Sequence, residues 1–97
     1  MSKRYVLFLA DSELSEEDLR RFSELIKGRQ GASKVIAVKE NRRAVIVKTT
    51  NEVAPILRGT GAGMKVGKVV LVSVLTSGAI GNLKRRASAA AANGEVS

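Results

Sequence analysis

The chain predicts an α+β domain in which a four-stranded antiparallel sheet carries two helices on one face, with a short extra helix at the C-terminal end. Three observations support this fold class. Strongly apolar runs at 5–10 (YVLFLA) and 68–75 (KVVLVSVL) stand toward the two ends of the chain. A helical repeat follows the first run, and a polar turn separates two β-branched runs in the middle. The order strand, helix, strand, strand, helix, strand is that of a split βαβ sandwich.

Each element follows from its residues. Residues 5–10 are continuous, apolar and bounded by charge, as a central strand is. In LSEEDL (14–19), Ser15 is placed to cap a helix with Asp18 three residues on, and Leu14 and Leu19 stand where a hydrophobic staple sits. Leu19, Phe22, Leu25 and Ile26 then recur at helical spacing. Glu16, Glu17 and Asp18 open this helix and Lys27 lies near its end, as the macrodipole favours. Gly28 and Gly31 are expected to terminate it. Residues 34–39 and 44–50 read as a hairpin around Glu40-Asn41-Arg42-Arg43. Asn51 is placed to cap a short second helix with Val53, Ile56 and Leu57 on its apolar face, and Pro55 belongs in its first turn. Gly59, Gly61, Gly63 and Gly67 make a flexible connection to the strand at 68–75. Residues 77–87 form a weak terminal helix with Ile80, Leu83 and Ala87 on one side. The reading is one domain over 1–87 with a ferredoxin-like, RRM-like βαββαβ pattern, and a flexible tail over 88–97.

Composition narrows the function. The 97 residues suffice for one domain. They include no cysteine and no histidine, which removes disulfides, thiolate chemistry, the usual general base and the commonest zinc ligand. The net charge is +8 and the pI about 10.5, which points to a polyanion, nucleic acid before an anionic membrane. Through Thr60 there are 12 cations and 8 acids; from Gly61 onward there are 5 cations and 1 acid, Glu95, in a much shorter stretch. The first apolar run is too short for a signal peptide, which needs roughly 7–15 residues, and no run nears the ~20 that span a bilayer. A cytoplasmic protein without a membrane partner is expected.

Several motifs invite stronger readings. In RGTGAGMKVGK (58–68) the glycines have the wrong spacing for a P-loop, and Gly67-Lys68 precedes Val69 instead of Ser or Thr. The stretch is either a plain connection or a loop placing Lys65 and Lys68 against RNA phosphates. An RNA-recognition motif stacks bases on strand aromatics. The third strand has none, and Phe8 and Phe22 belong to the core, which leaves Tyr5 alone for stacking, so single-strand base reading of the usual kind is not expected. The acids Glu13, Glu16, Glu17 and Asp18 are explained by a helix start rather than by a metal site. The stretch LTSGAIGNLKRRA (75–87) is different. Thr76 or Ser77 can cap the terminal helix and leave the amides of Gly78 and Ala79 outward, while Lys84, Arg85 and Arg86 exceed what a helix dipole needs.

That ending, VLVSVLTSGAIGNLKRRA, resembles the last strand and terminal motif of the archaeal RNase P protein component 2 family, which has eukaryotic relatives in RNase P and RNase MRP. Ser77-Gly78-Ala79-Ile80, Leu83 and Lys84-Arg85-Arg86 carry the likeness. The opening SKRYVLFLA and the middle GRQGASKVIAVKENRRAVIVKTTNEV are similar at the level of pattern, so that the resemblance spans roughly 3–87. Ala79 stands where the family usually has threonine, and Gly81 where it tends to have a cation. The second helix is short, and the long C-terminal helix of some relatives is not expected.

The resemblance implies a non-catalytic subunit of an RNA-based endonuclease that removes 5′ leaders from precursor tRNA. It implies Mg²⁺ on the RNA and no cofactor on this chain. The implied partners are RNase P RNA, protein component 3 and other RNase P protein subunits, with precursor tRNA met indirectly. The RNA-contact candidates are Ser77, Gly78, Lys84, Arg85 and Arg86, then Lys65 and Lys68, with Arg42 and Arg43 a second patch. Two alternatives stay open: an ACT-like regulatory module that binds a small ligand, usually as a homodimer, and a generic basic structural RNA-binding protein.

Overall fold

The computed structural model describes residues 3–29, 33–38, 41–59 and 64–92. It is an α+β structure of five strands and three helices: β1 (Lys3–Ala10), α1 (Glu16–Arg29), β2 (Lys34–Ala37), β3 (Ala44–Thr50), α2 (Ala54–Gly59), β4 (Met64–Val66), β5 (Val69–Ser77) and α3 (Ile80–Ala92). The strands form one sheet in the order β2-β3-β1-β5-β4, with every neighbouring pair antiparallel.

The sheet is therefore five-stranded, not four-stranded. The added strand comes from the stretch expected to be only a flexible connection. Met64 and Val66 are buried while Lys65 between them is exposed, the alternation of a half-buried strand. The turn Gly67-Lys68 joins paired Val66 and Val69, and Gly67 takes φ +60°, the left-handed value that a two-residue turn opening on glycine requires. Gly61 and Gly63 lie outside the described residues, as do Gly31, Lys39, Glu40 and 93–97.

The central strand and first helix follow the sequence closely. Val6 and Phe8 are buried on one face of β1, and Leu7 on the other. Ser15 and Asp18 form a reciprocal capping box: the Asp18 amide donates to Ser15 Oγ at 3.1 Å and the Ser15 amide to Asp18 Oδ2 at 3.1 Å. Phe22 meets Phe8 edge to face with ring centroids 5.3 Å apart. Helix α1 continues through Gly28 to Arg29, because the packing of Phe22 and Ile26 outweighs the roughly 1 kcal/mol that glycine costs in a helix. Leu25, expected on the packed face, is partly exposed. In α2, Ala54 and Leu57 are the buried pair and Ile56 is exposed. Asn51 does not cap that helix; its side chain accepts from Arg4 instead, and the Val53 amide donates to Thr50 Oγ1.

Two cores lie on opposite faces of the sheet. One packs β1, β3, β4 and β5 against α1 and α2 through Phe8, Phe22, Ile26, Val47 and Leu71. The other packs Leu7, Ile46 and Val38 against Leu83 and Ala87 of α3. The terminal helix thus crosses the face that α1 and α2 leave open. It runs five residues beyond Ala87, where the sequence reading put a tail, because Ser88 and the alanines that follow keep helical propensity high. Strand β5 likewise runs two residues past Leu75, since Thr76 and Ser77 pair with Val6 and Tyr5. No helix among the described residues is long and apolar enough to cross a membrane.

Candidate nucleic-acid interface

Register assigns every strand side chain to a layer. Tyr5, Leu7 and Leu9 of β1 face α3, so their direct partners Lys48, Ile46 and Ala44 on β3 face it too, as do Lys34 and Ile36 on β2. A bulge at Leu7/Phe8, opposite Val74, restores the phase on β5 and leaves Leu75 and Ser77 on the α3 side. Lys3 and Lys65 belong to this side by the same alternation.

Helix α3 brings no acid to it. Of the described acids, Glu16, Glu17, Asp18 and Glu24 are on α1, Glu13 leads into that helix and Glu52 into α2, while Asp11 follows β1 beside Val70. Three of those acids have structural work. Asp18 closes the capping box, Glu17 pairs with Arg21 at 2.5 Å, and Asp11 Oδ1 accepts from the Val70 amide at 3.1 Å. Helix α3 contains no acid, and its Lys84, Arg85 and Arg86 are exposed with no carboxylate at ion-pair distance among the described residues.

Of the sequence candidates, Ser77, Arg85 and Arg86 come together. They line one groove of about 560 Å³ between β5 and α3, with Leu75, Thr76 and Asn82. Arg85 is held there by Asn82 Oδ1 at 2.5 Å. Gly78 adjoins the groove under the Arg4 guanidinium, which lies 3.2 Å from where a Cβ would stand, while Arg4 Nε donates to Asn51 Oδ1 at 2.6 Å. The Ala79 amide, expected to point outward, donates to Ser77 Oγ at 3.0 Å and is consumed by the turn. Lys84 projects from the opposite flank of α3, since residues two apart on a helix face different ways.

The other candidates lie elsewhere. Lys68 is in the turn before β5, about 30 Å from Ser77 at ~3.3 Å per strand residue. Lys65 sits on the edge strand beside a hollow that also includes Arg21, Glu24 and Leu25. Arg42 and Arg43 hold the hairpin turn by backbone: their carbonyls accept from the Leu14 and Ala10 amides at 2.9 and 2.7 Å.

Sequence reasoning missed Lys3, Lys34 and Lys48 as members of this face. The sequence does not give this pairing: counting outward from the turn at 40–43 sets Lys34 opposite Thr49, one residue off the observed Lys34–Lys48 register. The chain matches no protein-family model and no curated protein.

Proposed function

We propose that this chain is an RNA-binding, non-catalytic protein subunit of an RNase P-type ribonucleoprotein. The observation that carries the RNA-binding reading is the cluster of exposed cations Lys84, Arg85 and Arg86 on α3, a helix without an acid, beside the lysines of the sheet face it crosses. Such a face matches closely spaced phosphates, and each cation set against one releases a condensed counterion. The RNase P assignment rests on the sequence resemblance, whose terminal motif, Ser77 to Arg86, spans the end of β5 and the basic part of α3.

The fold is consistent with this reading. Without the edge strand β4, the order β2-β3-β1-β5 with α1 and α2 on one face is the ferredoxin-like arrangement, and α3 occupies the other face. In the proposed particle, Mg²⁺ on the RNA supplies the hydrolytic chemistry. This chain neutralises phosphates that crowd together and holds an RNA shape that repulsion would otherwise open. Component 3, other protein subunits and precursor tRNA complete the assembly, and the compartment is the cytoplasm.

The test is precursor-tRNA cleavage by the cognate RNase P RNA with component 3, with and without this chain, at one moderate Mg²⁺ concentration. A rate increase that depends on the chain supports the subunit role. RNA binding with no rate increase reduces the reading to a general RNA-binding protein. Absence of binding at low salt refutes both, and a thermal shift with a small amino acid then identifies a regulatory module.

A further inference from the structure

One transverse row of the sheet has an arrangement that folding alone does not favour. Lys34 lies directly opposite Lys48, Lys48 opposite Tyr5, and Tyr5 opposite Ser77. All four face α3. Directly opposed residues on antiparallel strands have Cβ atoms only about 4.5–5.5 Å apart, and like charges in that position are destabilising. Among the described residues, no acid in this row or in the adjacent rows on the same face relieves the pair. The row toward the sheet end carries Thr50 and Lys3, and the next one inward is Ile36, Ile46, Leu7 and Leu75.

The path of α3 leaves this corner uncovered. The helix starts beside the end of β5 and crosses to the β2–β3 hairpin, where Asn41 Nδ2 donates to the Ala87 carbonyl at 3.0 Å. Its Ile80 and Leu83 cover the central row, and Lys84 leaves from the flank opposite Asn82 and Arg86, toward the lysine row. Lys34 is exposed, and Lys48 and Tyr5 are partly exposed. An aromatic ring therefore stands at the margin of α3 with Lys48, and Lys34 beyond it, on one side and Ser77 on the other.

We infer that this corner holds one nucleotide of a single-stranded RNA segment, its base stacked on Tyr5 and its backbone phosphate between Lys34 and Lys48. The inference rests on the RNA-binding reading and adds a second contact, distinct from the groove of Arg85 and Arg86. A ring face and mobile ammoniums suit any base, so the site tolerates sequence.

The chain contains one tyrosine and no tryptophan, which makes its intrinsic fluorescence a reporter of Tyr5 alone. The experiment titrates the full chain at low salt with a single-stranded oligouridylate, and separately with an abasic oligomer of the same length. The expected result is saturable quenching by the oligouridylate and little by the abasic chain. Tyr5→Leu should weaken oligouridylate binding about 5–100-fold, the range for one lost stack, and leave abasic binding unchanged. Tyr5→Phe, which keeps the ring, should restore affinity and separates stacking from any loss of packing. Lys34→Ser combined with Lys48→Thr should lower the salt slope by about 0.7, at ~0.7 per phosphate of a single strand. Binding without quenching, or equal quenching by the abasic chain, overturns the nucleotide site while RNA binding through α3 stands. Failure of both oligomers and of folded RNA to bind overturns the site and the RNA-binding reading together.

Discussion

Replacing Lys84, Arg85 and Arg86 together by alanine removes the exposed charges of α3 without touching the face that packs. Ile80, Leu83 and Ala87 make that contact, alanine is a better helix former than lysine or arginine, and the only described bond lost is the exposed Arg85–Asn82 pair. Stability should therefore change by less than about 0.5 kcal/mol. Binding should change far more. If each side chain sets one charge against a duplex phosphate, the slope of log affinity against log salt falls by about 2.7, at ~0.9 per contact. Taking the variants as equal near 1 M salt, that slope is worth roughly a hundredfold at 0.15 M. Fluorescence anisotropy with a folded RNA, an RNase P RNA on the proposed function, reads both quantities across a potassium chloride series. An unchanged slope in a variant that melts like the parent would refute the assignment of α3 as a phosphate-binding element.

Other expected outcomes concern the fold that carries the site. Lys48→Thr should raise stability by about 0.2–1 kcal/mol at low salt, with the gain shrinking in high salt, because it removes a like-charge pair and adds a good strand former; urea melts at two ionic strengths decide this. Leu83→Ala should cost about 2–5 kcal/mol, since Leu83 is fully buried between α3 and the sheet, and chemical denaturation measures it. Gly67→Ala should cost about 1–2 kcal/mol by forcing a side chain into φ +60°, with Arg21 Nη1 already 3.3 Å from the new Cβ, and thermal melts check the loss.

The parts of this fold legible in the sequence are those fixed by local chemistry. The capping box of Ser15 and Asp18, the apolar run of β1 and the polar turn before β3 each announce themselves within a few residues. The parts that were not legible depend on distant partners. Thr76 and Ser77 look like turn residues, and they extend β5 only because β1 offers backbone groups as far as Tyr5. Strand β4 was hidden by its glycine-rich surroundings, although Met64-Lys65-Val66 alternates and Gly67-Lys68 has the form of a tight hairpin turn. The α3 groove was half legible: Lys84-Arg85-Arg86 is plain in the sequence, but which cations share a face follows from register. Arg42 and Arg43 also tie the hairpin turn to the end of β1 and the start of α1 through their carbonyls, a backbone role that their charge does not announce.

Asn41 links this architecture to the proposed activity and gives a prediction that charge alone would not. It is buried in the hairpin turn, where its Oδ1 accepts from the Arg43 amide at 2.9 Å and its Nδ2 donates to the Ala87 carbonyl at 3.0 Å. One side chain thus pins the far half of α3 to the sheet and shapes the turn between β2 and β3, and it carries no charge itself. Asn41→Ala should cost about 1–3 kcal/mol for the buried amide left unpaired, and it should loosen the helix that presents Lys84, Arg85 and Arg86. If binding requires docked α3, affinity falls in proportion to the docked fraction while the bound state keeps all its phosphate contacts. The expected signature is a severalfold weaker affinity for RNA with an unchanged salt slope, together with faster amide exchange along α3. A reduced slope would mean that the substitution removes contacts instead of populating an undocked state. Affinity equal to the parent, with α3 exchanging faster, would show that RNA binding does not depend on how this helix is held.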